Sequence, residues 1–146
     1  MKGLGIDVET IISRQLHDEI GPVYLNDAEM ALVETAELPL ASTICFSAKE
    51  ALFKGIYPLI GRFFDFKDAA VARLDYASRR LSIRLTSTLS DEFHAGVVVD
   101  GSFRYDNRSV FTAFELLPTN TPVAGQADRR RRAEPEISRR SGQAPR

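Results

Sequence analysis

The chain has 146 residues, a formal net charge of −1, 44% apolar content and one cysteine, Cys45. That length supports one domain with its own core, a lone cysteine excludes an internal disulfide, and no apolar run approaches the roughly 20 residues a membrane-crossing helix needs. Up to Leu117 there are 12 Lys and Arg against 17 Asp and Glu, whereas beyond it 7 arginines face 3 acids. An acidic body with a basic tail is a reason to divide the two, here as a domain over 1–117 and a tail over 118–146.

The first element is a strand. In Gly3-Leu4-Gly5-Ile6-Asp7-Val8-Glu9 the apolar residues alternate with glycines and acids, the period of a half-buried strand. Asp7 and Glu9 share a face with side chains about 6 to 7 Å apart, and the glycines on that face let a ligand approach the backbone. Two such carboxylates suit magnesium, which takes few protein oxygens and keeps several waters. The plain alternative is an edge strand with solvated acids.

Ile11, Ile12, Leu16 and Ile20 then repeat at helical spacing, and Gly21-Pro22 is expected to stop that helix. His17 reads as a solvated surface residue on it. Asn26 or Asp27 can cap a second helix running to about Glu37, before Pro39 breaks the pattern. A third helix is expected to begin at Ser47, because Ser47 and Glu50 have capping-box spacing, and to run to about Ile60, with Gly55 and Pro58 bending or shortening it. Leu52, Phe53, Ile56, Leu59 and Ile60 would form its apolar face, with Ser47, Glu50, Lys54 and Tyr57 in a stripe beside it. Cys45 would pack in the core just ahead of this helix. Glu50 and Lys54 can be read as a cap and a simple helical ion pair, or as parts of a site.

The period then shortens. Strands are expected around 70–75 and 81–85 with a turn near Ser78-Arg79, a short strand at 97–99, and a hairpin over 102–117 turning at Asp106-Asn107. One strand, three helices and several antiparallel strands make an α+β domain whose helices cover one face of a sheet. From Pro118 the apolar periodicity ends, so the tail, with its run Arg129 to Arg132, is expected to be disordered. That run could hold nucleic-acid backbone, but a tail without such a role is the preferred reading.

The motif G-I-D-V-E, followed about forty residues later by F-S-A-K-E-A-L-F-K from Phe46 to Lys54, resembles the 4'-phosphopantetheinyl transferase superfamily. It is most similar to the larger class, of the surfactin-synthetase and enterobactin-synthase component D kind. The resemblance extends less sharply from Gly3 to about Leu117. The short holo-acyl-carrier-protein synthase class spaces its glutamate three residues after the aspartate, whereas here Glu9 follows Asp7 by two.

The resemblance implies a magnesium-dependent transfer of 4'-phosphopantetheine from coenzyme A to a serine of an apo acyl or peptidyl carrier protein, in siderophore synthesis. It implies that Asp7, Glu9 and Glu50 hold magnesium. Glu50 and Lys54 would be catalytic, with Lys49 and Lys54 near the coenzyme A phosphates. Glu50 or a metal-bound water would be the base. Larger-class members resemble two fused α/β halves, and this chain matches the second, so a single half of that pseudo-dimeric fold is expected. Such a half should expose an apolar face that favours self-association. The competing reading is a truncated remnant that binds metal or carrier protein without turnover. Together with the absence of a signal-peptide pattern, the cysteine usage places the chain in the cytosol.

Overall fold

The computed structural model describes residues 3–34 and 37–116. Its order is β1 (Gly3–Thr10), α1 (Arg14–Tyr24), α2 (Asp27–Glu34), α3 (Leu38–Ile60), a short 3-10 turn (Phe66–Asp68), then β2 (Ala69–Asp75), β3 (Arg80–Leu85), β4 (Val98–Tyr105) and β5 (Ser109–Leu116). The strands form one antiparallel sheet in the order β1-β5-β4-β3-β2, which leaves β1 and β2 as its edges. This is the expected α+β architecture. The expected tail lies outside the described residues.

The main departure from the sequence reading is where α3 begins. It starts at Leu38, nine residues before Ser47, and Pro39 opens it instead of breaking the pattern. Proline fits the first helical turn because the amide it lacks would have no partner there. The run from Leu40 to Cys45 is buried, so this helix crosses the core and is apolar on nearly every side. Ser47 is therefore no cap. Its hydroxyl and that of Thr112 on β5 lie 2.8 Å apart, and the Thr112 hydroxyl donates to the Ser47 carbonyl at 3.0 Å. Gly61, with φ of 72°, closes the helix in the left-handed region that glycine adopts without strain.

Two smaller expectations also change. Gly21 and Pro22 lie inside α1, and His17 is buried: its Nδ1 is 2.7 Å from the Ser42 hydroxyl, which also bonds the Tyr24 hydroxyl. A Cβ at Gly21 would lie 3.2 Å from the His17 ring, a tight contact that glycine avoids. The strands expected at 97–99 and 102–105 are one continuous β4. Cys45 does pack in the core, within α3 itself, and burial pushes its thiol far above the usual range.

β1 carries its pattern the opposite way round from an ordinary half-buried strand. Leu4, Ile6 and Val8 point outward, 62%, 54% and 53% exposed, while Gly3, Gly5, Asp7 and Glu9 face α3. The cause is close packing. A Cβ on Gly5 would lie 1.8 Å from the Ala51 carbonyl oxygen, and one on Gly3 2.7 Å from that of Gly55. Only a strand face without side chains can lie that near a helix backbone.

Candidate active site

Close contact at the glycines delivers the two acids of β1 to the side of α3 that carries Glu50 and Lys54. Asp7 pairs in register with Thr112 of β5, and the Thr112 hydroxyl is the one bonded to the Ser47 hydroxyl and carbonyl, so α3 is tied to the strand next to the one bearing the acid. At the far end of β1, the Ile12 amide donates to the Thr43 hydroxyl at 3.0 Å.

Asp7 is only 4% exposed, and its Oδ1 accepts from Lys54 Nζ at 2.7 Å. Its other oxygen, Oδ2, is buried with no hydrogen-bond partner. A buried carboxylate oxygen without a partner is costly, on the order of 1–3 kcal/mol or more. That leaves it open to a cation or a hydrogen-bond donor. Glu9 answers electrostatically: its carboxyl is pushed up to about 7, first by burial, then by the hydrogen bond and charge of Asp7, then by Glu50. Burial and the Asp7 charge raise Glu50 as well. Lys54 is held above the usual lysine range, chiefly by its bond to Asp7. Asp7, Glu9, Glu50 and Lys54 therefore form one electrostatic unit, three acids against one cation.

This donor set consists of hard carboxylate oxygens, the kind a magnesium ion accepts, and Asp7 Oδ2 is a buried oxygen with no hydrogen-bond partner. The residues fit such an ion in chemistry. Among the described residues, however, no three Asp, Glu, His or Cys side chains are gathered in ligating geometry, and Lys54 holds the Asp7 oxygen a cation would share.

Lys49 does not join the cluster. It is fully buried, and its ammonium donates to the Tyr24 carbonyl at 2.7 Å, to Glu29 Oε1 at 3.0 Å and to the Phe66 carbonyl at 3.1 Å. An ammonium has three donors, so none remains for a phosphate. The residue expected near the coenzyme A phosphates is thus placed in a buried junction, bonded to the protein itself. Burial lowers its pKa, and Glu29 opposes that shift.

Two features escaped the sequence reading. Glu29 had no signal beyond its place three residues after Asn26, with which it forms a capping pair: its amide donates to Asn26 Oδ1 at 2.8 Å, and its own Oε1 accepts from the Asn26 amide at 2.9 Å. Beside Lys54 lies a cavity of about 340 Å³ lined by Phe53, Lys54, Tyr57, Arg62, Phe63 and Phe64. Its aromatic walls pack on each other, Phe53 against Phe64 at 4.3 Å and Tyr57 against Phe63 at 4.7 Å. The sequence signal was the density of aromatic residues in Arg62-Phe63-Phe64-Asp65-Phe66 just past α3.

An α+β sheet covered by a long helix, with acids on its first strand facing a glutamate and a lysine on that helix, defines a class. The model of the 4'-phosphopantetheinyl transferase superfamily matches residues 3–113, and the chain belongs to that superfamily. In sequence it is similar to enterobactin synthase component D of Salmonella typhi, 36% identical over 53 residues, which cover 35% of this chain and 23% of that protein. In structure it resembles the holo-acyl-carrier-protein synthase of Bacillus anthracis, solved with coenzyme A (3',5'-ADP), with a TM-score of 0.58 and 21% identity over 78% of this chain and 94% of that one. The Thermotoga maritima holo-acyl-carrier-protein synthase gives a TM-score of 0.59 at 19% identity, covering 80% and 64% of the two chains. That of Plasmodium yoelii gives 0.56 at 19% identity, covering 81% and 95%. These structural likenesses establish the fold. Among the described residues no helix is long and apolar enough to cross a membrane.

Proposed function

We propose that the chain transfers 4'-phosphopantetheine from coenzyme A to a serine hydroxyl of an apo carrier protein, with magnesium held by Asp7, Glu9 and Glu50. The observation that carries this reading is the buried, unpartnered Asp7 Oδ2 inside a cluster of three mutually repelling acids. When bound, the ion would neutralise the diphosphate oxygens that the nucleophile must approach. Asp7 and Glu9 present their carboxyl groups from a strand whose glycines pack directly against the α3 backbone. Glu50, its carboxyl raised by burial, is suited to take the serine proton. Lys54, 55% exposed, can leave Asp7 for the phosphate that departs with the nucleotide. The aromatic cavity beside it suits the uncharged pantetheine arm. The likeness to component D of enterobactin synthase supports a carrier from siderophore synthesis.

The test is mass spectrometry of an apo carrier incubated with coenzyme A and magnesium, where transfer adds one phosphopantetheine. No gain at high protein concentration would favour the second reading, a domain that binds metal or carrier without turnover.

Self-association belongs to the same proposal. Leu4, Ile6 and Val8 form an exposed apolar row on an edge strand, and Phe111, 43% exposed, pairs with Val8 across to β5. A second copy of the chain can cover this row through the same row of its own. Light scattering should show a species larger than the monomer, and Ile6→Lys should return it to the monomer.

A further inference from the structure

We propose that the buried Lys49–Glu29 ion pair is a positioning device for the aromatic cavity beside Lys54, and so sets how tightly the chain holds the pantetheine arm of coenzyme A. This inference rests on the coenzyme reading above.

The pair is a junction of five segments. Lys49, on α3, reaches the carbonyl of Tyr24 at the end of α1 and that of Phe66 at the start of the 3-10 turn. Glu29, on α2, accepts from the Asn26 amide and Lys49 through Oε1, and from the Val71 amide of β2 through Oε2 at 2.6 Å. Both side chains are at most 1% exposed. Every lysine donor is used, and both glutamate oxygens are occupied.

From this junction a chain of rings leads to the cavity. Phe66, whose carbonyl Lys49 holds, packs at 5.3 Å on Phe53, which packs at 4.3 Å on Phe64. Phe53 and Phe64 are cavity walls. The segment Gly61 to Asp65 between α3 and the 3-10 turn carries Arg62, Phe63 and Phe64, and the ammonium of Lys49 fixes the backbone just past its far end. Apolar packing alone would let these rings slide, whereas a lysine with three directional bonds sets the backbone at one position. Isosteric apolar replacement of both partners of a buried pair is often neutral for stability, whereas removing one partner is strongly destabilising, so the double variant Glu29→Met/Lys49→Met is the one expected to keep the fold with a displaced wall.

The experiment compares two ligands by calorimetry. Coenzyme A contains the arm, whereas 3'-phosphoadenosine 5'-diphosphate keeps every phosphate of the coenzyme and lacks the arm. Lys49→Met and Glu29→Gln should each weaken coenzyme A by about tenfold or more and leave the nucleotide within about twofold. Amide exchange at residues 61–66 should rise in both variants. Equal loss of the two ligands in Lys49→Met, with none in Glu29→Gln, would make Lys49 a phosphate ligand and overturn the proposal. So would unchanged binding of both ligands in folded variants. Where Lys49→Met does not fold, Glu29→Gln and the double variant Glu29→Met/Lys49→Met carry the comparison. A parent chain that binds neither ligand would refute the coenzyme reading, and amide exchange at 61–66 would still decide whether the pair holds the wall.

Discussion

Gly5 lies so close to Ala51 that an added Cβ would stand 1.8 Å from the Ala51 carbonyl oxygen. The obstacle is helix backbone, which cannot swing aside as a flexible side chain would. Gly5→Ala must therefore lift β1 from α3 or leave it unpaired. Overpacking of this kind costs about 1–3 kcal/mol, and more where the backbone has to move. Urea denaturation should show a loss at or above the top of that range. Magnesium binding should weaken with it, because the displaced strand carries Asp7 and Glu9.

The outward turn of β1 makes a second prediction. Ile6 is half exposed and Ile56 fully buried, although both are isoleucines in regular elements. At dilutions where the chain is monomeric, Ile6→Ala should change stability by less than about 1 kcal/mol, in line with surface substitutions. Ile56→Ala should cost about 2–5 kcal/mol, as in other cores. Similar costs at both positions at higher concentration would mean that the Ile6 row is covered, and dilution would then show whether a second copy covers it.

The Glu9 carboxyl gives the metal-free chain a specific pH dependence. Its pKa is raised from an ordinary 4.5 to about 7, so between those values the folded state holds a proton that the unfolded state has released. Stability should then fall as pH rises from about 4.5 through 7. Glu9→Gln should flatten that slope. Magnesium should raise the melting temperature more at pH 8 than at pH 6, because below pH 7 the ion must displace the proton. Thermal unfolding across pH, with and without the ion, is the measurement.

Lys54 is the one basic side chain bonded to the acid cluster among the described residues. Lys54→Ala should lower kcat by about 10² to 10³, the usual loss when a group stabilising developing charge is removed. Magnesium affinity should hold or increase, since the competing ammonium has left Asp7 Oδ1. Loss of magnesium affinity in this variant would show that Lys54 organises the acids instead of competing for them.

Sequence alone was enough for the order of elements, because each strand and helix carries its own periodicity, and for the pairing of the two motifs, because their spacing is specific. It also singled out Asp7, Glu9, Glu50 and Lys54, which the fold brings into one cluster. The start of α3 was hidden, since the apolar run from Leu38 to Phe46 has no face and Ser47-x-x-Glu50 imitates a cap. The direction in which β1 faces was hidden as well: alternation gives two faces, and only the helix pressed against Gly3 and Gly5 decides which is inside. Lys49 shows the same limit most plainly. The resemblance to the family places it near the coenzyme A phosphates, and nothing local in the sequence points to the partners it has in the fold, Glu29 and the carbonyls of Tyr24 and Phe66, which lie 17 to 25 residues away along the chain. Local pattern names the groups, but long-range packing decides which of them are already bonded to the protein and which are free to act.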